Sequence, residues 1–355
     1  MDRRNFIRTT GLGLAGAANA AAWPAGAAVT EATDRARPAA GTVTAAIAQH
    51  PDMKYRALGR TGEAVSLVGM GGFHLAKPGG MTNDEAIRVV HAGIEAGINF
   101  CDNCWDYNGG ESEVRLGRAL GRQGWRDRVF LMTKIDGRTA KAATGQIETS
   151  LARLQTDHID LLQFHEIIRP DDPERVFAAG GALEAALRAR EQGKIRYIGF
   201  TGHKSPAIHA AMFATAARHG FRFDTVQMPL NVMDAHYDSF EQTVVPMALA
   251  AGTGIIGMKA FGDPFILKTG ALPPVQMLQY PMSLPVSLQV TGIDGMPILQ
   301  QALDAVRTFR PWTPQQREAA LARTAQFAAN GTTELYKTTE HFDGTNHNPQ
   351  WLTEA

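Results

Sequence analysis

Cysteine is nearly absent: Cys101 and Cys104 are the two in a chain of 355 residues. A disulfide framework is therefore excluded. Net charge is absent as well, since Lys+Arg and Asp+Glu both total 35, so no overall field draws the chain to nucleic acid or to an acidic membrane surface. No apolar run reaches the length of a membrane span, and stable membrane insertion is not expected. Two motifs are also missing. No G-x-G-x-x-G follows the first apolar run, which argues against an open dinucleotide-binding sheet. No H-x-H pair lies in that run, which argues against a metal-dependent barrel hydrolase.

What is present is a globular composition, 44% hydrophobic and 20% charged, long enough for one large domain or two ordinary ones. The N-terminus reads as an address. "DRRNFIR" is followed by "TTGLGLAGAANAAAWPAGAA", with small residues at A-x-A spacing in Ala18–Ala20 and Ala25–Ala27. Arg3, Arg4, Phe6 and Arg8 make residues 1–28 resemble a bacterial twin-arginine signal peptide. That resemblance implies the twin-arginine export machinery as a partner, a periplasmic location, and transport of a folded chain. Residues 29–52, rich in Ala, Thr and Pro, read as a linker.

From Met53 onward, eight strand-length apolar runs alternate with amphipathic segments: "VSLVGMGG", "NFCDN", "VFLMTK", "IDLLQFH", "IRYIGFT", "DTVQMPL", "GIIGMKA" and "VSLQVTG". Runs that are apolar throughout suit strands buried on both faces of a parallel sheet. Their ends fall near residues 71, 102, 134, 165, 201, 227, 259 and 291, a rhythm of roughly thirty residues that fits one βα unit each. The expected fold is α/β, a (β/α)8 TIM barrel spanning residues 53–330. "KYRALGRTGEAVS" predicts an N-terminal β-hairpin, turned at Thr61-Gly62, that plugs the barrel's bottom. Asn83 or Asp84 is expected to cap a helix burying Ile87, Val90 and Ile94. A tail, residues 331–355, is expected to lie over the mouth.

In such a barrel the strand C-termini face the active site. Here they hold Asp102, Lys134, His165, Thr201 with His203, Gln227 and Lys259. With Tyr107 they suggest one chemistry. A carbonyl that accepts hydride needs a proton for its developing alkoxide. A tyrosine, with pKa near 10, supplies it poorly unless a cation such as Lys134 lowers that value. Asp102 would hold the lysine, and His165 would orient the carbonyl oxygen.

These residues sit in motifs that together resemble the aldo-keto reductase family: "YRALGRTGEAVSLVGMGG", "GINFCDNCWDYNGGESEVRLGRAL", "MTKIDG", "IDLLQFHE" and "GKIRYIGFTGH". The resemblance covers most of residues 53–310. It implies an oxidoreductase acting on a small carbonyl or alcohol substrate with NADP or NAD. The family's catalytic tetrad falls on Asp102, Tyr107, Lys134 and His165. Its carboxamide contacts fall on Thr201, His203 and Gln227; Gly71 and Gly72 join the cofactor-contacting set. Met258 stands where a stacking tyrosine is usual, Lys259 could meet the pyrophosphate, and "TGIDGMPILQQAL" offers Asp294 but no Arg or Lys to a 2′-phosphate. Two other classes stay open: a non-catalytic nicotinamide-binding sensor or partner subunit, and the metal-dependent hydrolase. No metal site is expected. The Cys101/Cys104 bracket has no second half-site and reads as two small buried thiols, and His341, Asp343 and His347 lie in a turn-rich loop. Glu166 is expected to pair with Arg169.

Overall fold

Alternating side chains decide what faces inward here. In the computed structural model, which describes residues 50–121 and 124–354, eight parallel strands close into a barrel in the order β10-β3-β4-β5-β6-β7-β8-β9. They are β3 (Val68–Gly71), β4 (Phe100–Asp102), β5 (Phe130–Ile135), β6 (Ile159–Phe164), β7 (Ile195–Thr201), β8 (Thr225–Pro229), β9 (Gly254–Met258) and β10 (Leu288–Gly292). Closure comes from β10, which pairs with β9 on one side and β3 on the other. The protein is therefore a (β/α)8 TIM barrel. Every expected strand end is met to within two residues. The signal read over 1–28, and the linker 29–52 apart from its last residues, lie outside the described residues.

The barrel interior is filled by Phe100, Phe130, Met132, Leu161, Ile256, Leu288 and Val290, with Leu58 and Val65 completing the cluster. Leu58 and Val65 come from the N-terminal hairpin, where β1 (Tyr55–Ala57) pairs antiparallel with β2 (Ala64–Ser66). The hairpin thus seals one end with apolar side chains. A strand side chain returns to the same face every second residue. Asp102 therefore stands one rung above Phe100, Lys134 above Met132, and Gln163 above Leu161. The polar rung lies at the opposite, open end.

Outside the strands, Ala86, Val89, Val90 and Ile94 of helix Asn83–Glu95 are buried, as are Ile147, Leu151 and Leu154 of helix Ala140–Leu154. The first of these helices starts differently from expectation. Thr82 is its N-cap, and its hydroxyl and the Glu85 carboxylate form a reciprocal capping box. A Ser/Thr-x-x-Glu pattern satisfies two orphan backbone donors, more than a lone Asn or Asp cap provides.

Candidate active site

β4 ends at Asp102, and the chain then doubles back through a short turn, Tyr107–Gly110. Asn108, Gly109 and Gly110 all take positive φ (55°, 66° and 90°), a bend that two glycines permit at little steric cost. It returns the Tyr107 ring to Lys134, whose Nζ lies 4.7 Å from the ring centroid. That ammonium group, 1% exposed, donates to the Asp102 carboxylate, to Asn103 O at 2.7 Å and to Tyr107 OH at 3.3 Å. The other Asp102 oxygen accepts from Gln227 Nε2 at 2.6 Å. Both oxygens of the acid and all three donors of the lysine are engaged. This is the condition for a buried ion pair to persist.

Tyr107 departs from expectation in its acidity. Burial, and next the Asp102 charge, hold the phenol well above its ordinary value. Lys134 was expected to lower it, but its charge is met at contact by Asp102, at the end of the neighbouring strand β4. Phe73 packs edge-on against the phenol ring at 5.5 Å between centroids, and His165 does so at 5.8 Å.

His165 follows β6 directly. Its Nδ1 lies 2.9 Å from Asp136 Oδ1, 3.2 Å from Cys104 Sγ and 3.6 Å from Asp106 Oδ1. Burial pushes Asp136 up to about 8 and Asp106 up to about 7, and each raises the other or is raised by a nearby acid. Burial also raises the Cys104 thiol and lowers His165. When it carries its proton, Asp136 can donate to Nδ1, an arrangement that places the ring proton on Nε2.

Thr201 and Gln227 face each other in register across β7 and β8. Thr201 Oγ1 and Gln227 Oε1 are both buried without a hydrogen-bond partner. A hydroxyl donor beside an amide acceptor is the complement of a carboxamide, which offers one oxygen and one NH2 group. The structure thus has room in its bonding for the amide end of a nicotinamide. His203 is less free. Its Nε2 lies 3.0 Å from Asp343 Oδ1. Gly71 and Gly72 close the β3 end where no side chain fits: a Cβ on Gly72 would stand 2.5 Å from Asp102 O, and one on Gly71 2.9 Å from Thr291 O. Met258 is half-buried at the end of β9. Lys259 holds its ammonium over the rings of Phe342 and Tyr336, 4.9 and 5.4 Å from their centroids. Asp294 is exposed just past β10.

The tail covers this end. Glu166 accepts from the Gly344 and Thr345 amides at 2.9 and 2.7 Å, and Arg138 N donates to Leu352 O at 2.8 Å. Lys204 Nζ donates to Asp343 at 2.7 Å. Glu166 does not pair with Arg169, which instead reaches Asp172, Thr345 and Asn346. The tail amides offer the Glu166 carboxylate two directed donors, and its left-handed backbone (φ 45°) turns it toward them. His341 and His347 do not converge on Asp343; His347 Nε2 meets Glu340 O.

Sequence reasoning did not single out Asn103, Asp106, Asp136 or Phe73. Asp136 stands two residues past Lys134 and Asp106 beside Tyr107, so loop position at the mouth was the available signal.

A model described as the Aldo/keto reductase family matches residues 67–319. The chain is 30% identical to Aldo-keto reductase YhdN of Bacillus subtilis over 55% of its own length and 58% of that protein. It is 34% identical to the 6-dehydroglucose reductase of Novosphingobium aromaticivorans, over 44% and 54%, and 35% identical to the L-galactose dehydrogenase of Arabidopsis thaliana, over 42% and 49%. The chain thus spans about half the length of these relatives. The solved holo structure of aldo-keto reductase AKR11C1 from Bacillus halodurans matches with a TM-score of 0.64 at 23% identity, covering 79% of this chain and 99% of that one.

Proposed function

The chain belongs to the aldo/keto reductase family, an oxidoreductase family, and on that premise we propose that it moves hydride between a nicotinamide cofactor and a carbonyl or alcohol, with Tyr107 as general acid and base. The observation that carries this reading is the contact of Tyr107 OH with Lys134 Nζ, itself anchored by Asp102. When bound, the nicotinamide supplies or accepts the hydride, and its oxidised ring adds a positive charge. The protein's part is positional and electrostatic. Thr201 and Gln227 hold the carboxamide. His165, with Nδ1 occupied, turns its Nε2 proton to the carbonyl oxygen. As the carbonyl carbon is reduced, its oxygen gains charge and takes the Tyr107 proton, and Lys134 steadies the phenolate left behind.

NAD(H) is favoured over NADP(H), because Thr291–Leu303 carries the exposed Asp294 and no base. A carboxylate suits a ribose 2′-hydroxyl and repels a phosphate. The names of two relatives point to sugars and their oxidised forms as the substrates to try. The arginine pair Arg3-Arg4 supports export of the folded chain to the periplasm.

The test is Tyr107→Phe. Turnover should fall by about two orders of magnitude or more, as expected for loss of a positioned acid, while NADH binding followed by fluorescence stays near wild type. Turnover within a few-fold of wild type would reject the assignment.

A further inference from the structure

Four potential metal ligands meet behind the catalytic imidazole. We propose that Cys104 Sγ, Asp106, Asp136 and His165 Nδ1 form a site for one divalent first-row transition ion, zinc first among them. The site is read from these residues alone and does not rest on the reductase reading.

The geometry is close to a ligand shell. One donor atom from each of the four residues lies within 4.8 Å of all the others. The contacts to Nδ1 are 2.9, 3.2 and 3.6 Å. Zinc bonds of about 2.0–2.3 Å set tetrahedral edges of roughly 3.3–3.6 Å, so side-chain shifts of about 1 Å would bring the four donors onto one ion. A second observation points the same way. Asp136 is fully buried, yet its Oδ2 has no hydrogen-bond partner, and neither has Asp106 Oδ1, the oxygen facing His165. Among the described residues, neither carboxylate pairs with a lysine or arginine. The nearby cations have other contacts: Lys134 with Asp102, Asn103 and Tyr107, Arg138 with Asp172 and three carbonyls, and Arg169 with Asp172, Thr345 and Asn346. Buried acidic groups with open lone pairs and no protein cation are costly unless something answers them. A bound cation answers both.

The donor set chooses the ion. One thiolate, one imidazole and two carboxylates suit zinc or cobalt better than calcium or magnesium, which favour all-oxygen shells. The ligands are also held from behind, as metal ligands usually are. Arg138 donates to Asp136 O at 2.6 Å and to His165 O at 2.7 Å. Gln146 Oε1 accepts from Asp136 N at 2.9 Å, and Asn103 Oδ1 accepts from Cys104 N at 2.9 Å. Entry is open at the mouth, where the Asp106 and His165 side chains keep 13% and 11% exposure.

On binding, the Cys104 thiol proton and any protons on the two acids pass to solvent, Nδ1 gives its lone pair, and no electrons are transferred. Four protein ligands close the shell, so substrate does not coordinate. The ion acts through His165 by fixing its proton on Nε2 and its ring plane. Cys104, Asp106 and Asp136 are thus positioning residues.

The experiment uses the full chain, stripped with chelator and titrated with cobalt(II) chloride. One cobalt per chain should be retained on desalting, with a tetrahedral visible spectrum and a thiolate-to-cobalt band in the near ultraviolet; zinc chloride should bleach both. Cys104→Ser should lose the thiolate band. Asp136→Asn and Asp106→Asn should weaken binding by about tenfold or more, in line with losses at metal-supporting positions. Cys101→Ser should bind as wild type. Circular dichroism confirms each fold, and Asp106→Asn, at the solvent edge, decides the matter if Cys104→Ser does not fold. No retained cobalt, no thiolate band, or equal binding by all variants would overturn the proposal. Turnover is not the readout, so that failure leaves hydride transfer by Tyr107 untouched.

Discussion

At the residue scale, the two orphaned oxygens of Thr201 and Gln227 make a discriminating pair. Thr201→Val keeps the shape and removes a buried hydroxyl that has no internal partner. Folding stability should therefore hold or rise slightly, whereas an ordinary buried threonine loses its hydrogen bond. Dinucleotide binding should weaken by about 1 kcal/mol, roughly fivefold, the usual net worth of one hydrogen bond. Urea unfolding and calorimetric titration with NADH read the two effects separately; unchanged affinity would place the carboxamide elsewhere. The same residues show what a linear chain reveals. Asp102, Lys134 and Gln227 were legible because each lies at or near the end of an apolar run, and His165 because it directly follows one. Asp136 and Asp106 were not, because the cluster joins three segments distant in sequence: the Cys104–Asp106 turn, Asp136 and His165. The acidity of Tyr107 was misjudged for a related reason: residue types name the neighbours, but only distance shows that Asp102 claims Lys134 first.

At the scale of elements, the strands were the most legible, since runs buried on both faces leave no doubt about length. The tail was the least legible, because its order comes from partners on other segments. Asp343 answers His203 and Lys204, while Glu166 answers the Gly344 and Thr345 amides. Burial acts to raise both carboxylates, yet both sit below their usual values: Glu166 through His165 and His203 and then the Thr345 hydrogen bonds, Asp343 through the hydrogen bonds from His203 and Lys204. A depressed carboxylate adds stability above its unfolded pKa and loses it as pH falls through the folded value. The tail should therefore loosen under acid, below the ordinary Asp value of 3.8. Asp343→Asn should mimic that at neutral pH. We expect about 1–3 kcal/mol less local protection, the range for losing a charged partner, confined to residues 339–354. Hydrogen exchange resolved by segment checks this; equal loosening of β4–β6 would mean that the clamp supports the barrel instead.

At the scale of the whole molecule, the proposed twin-arginine address lies in sequence outside the barrel. Arg3 and Arg4 precede the hairpin by some fifty residues of sequence. Replacing both by Lys should leave the protein in the cytoplasm, folded and with unchanged turnover, because a receptor-read signal adds nothing to packing. Fractionation against a periplasmic marker decides it, and unchanged export would remove the twin-arginine reading. The hairpin itself has a different consequence. Because Leu58 and Val65 close the floor over a packed interior, the polar rung can be approached only from the opposite end of the barrel. Two ligands that shared that approach would be expected to bind in order, the deeper one first.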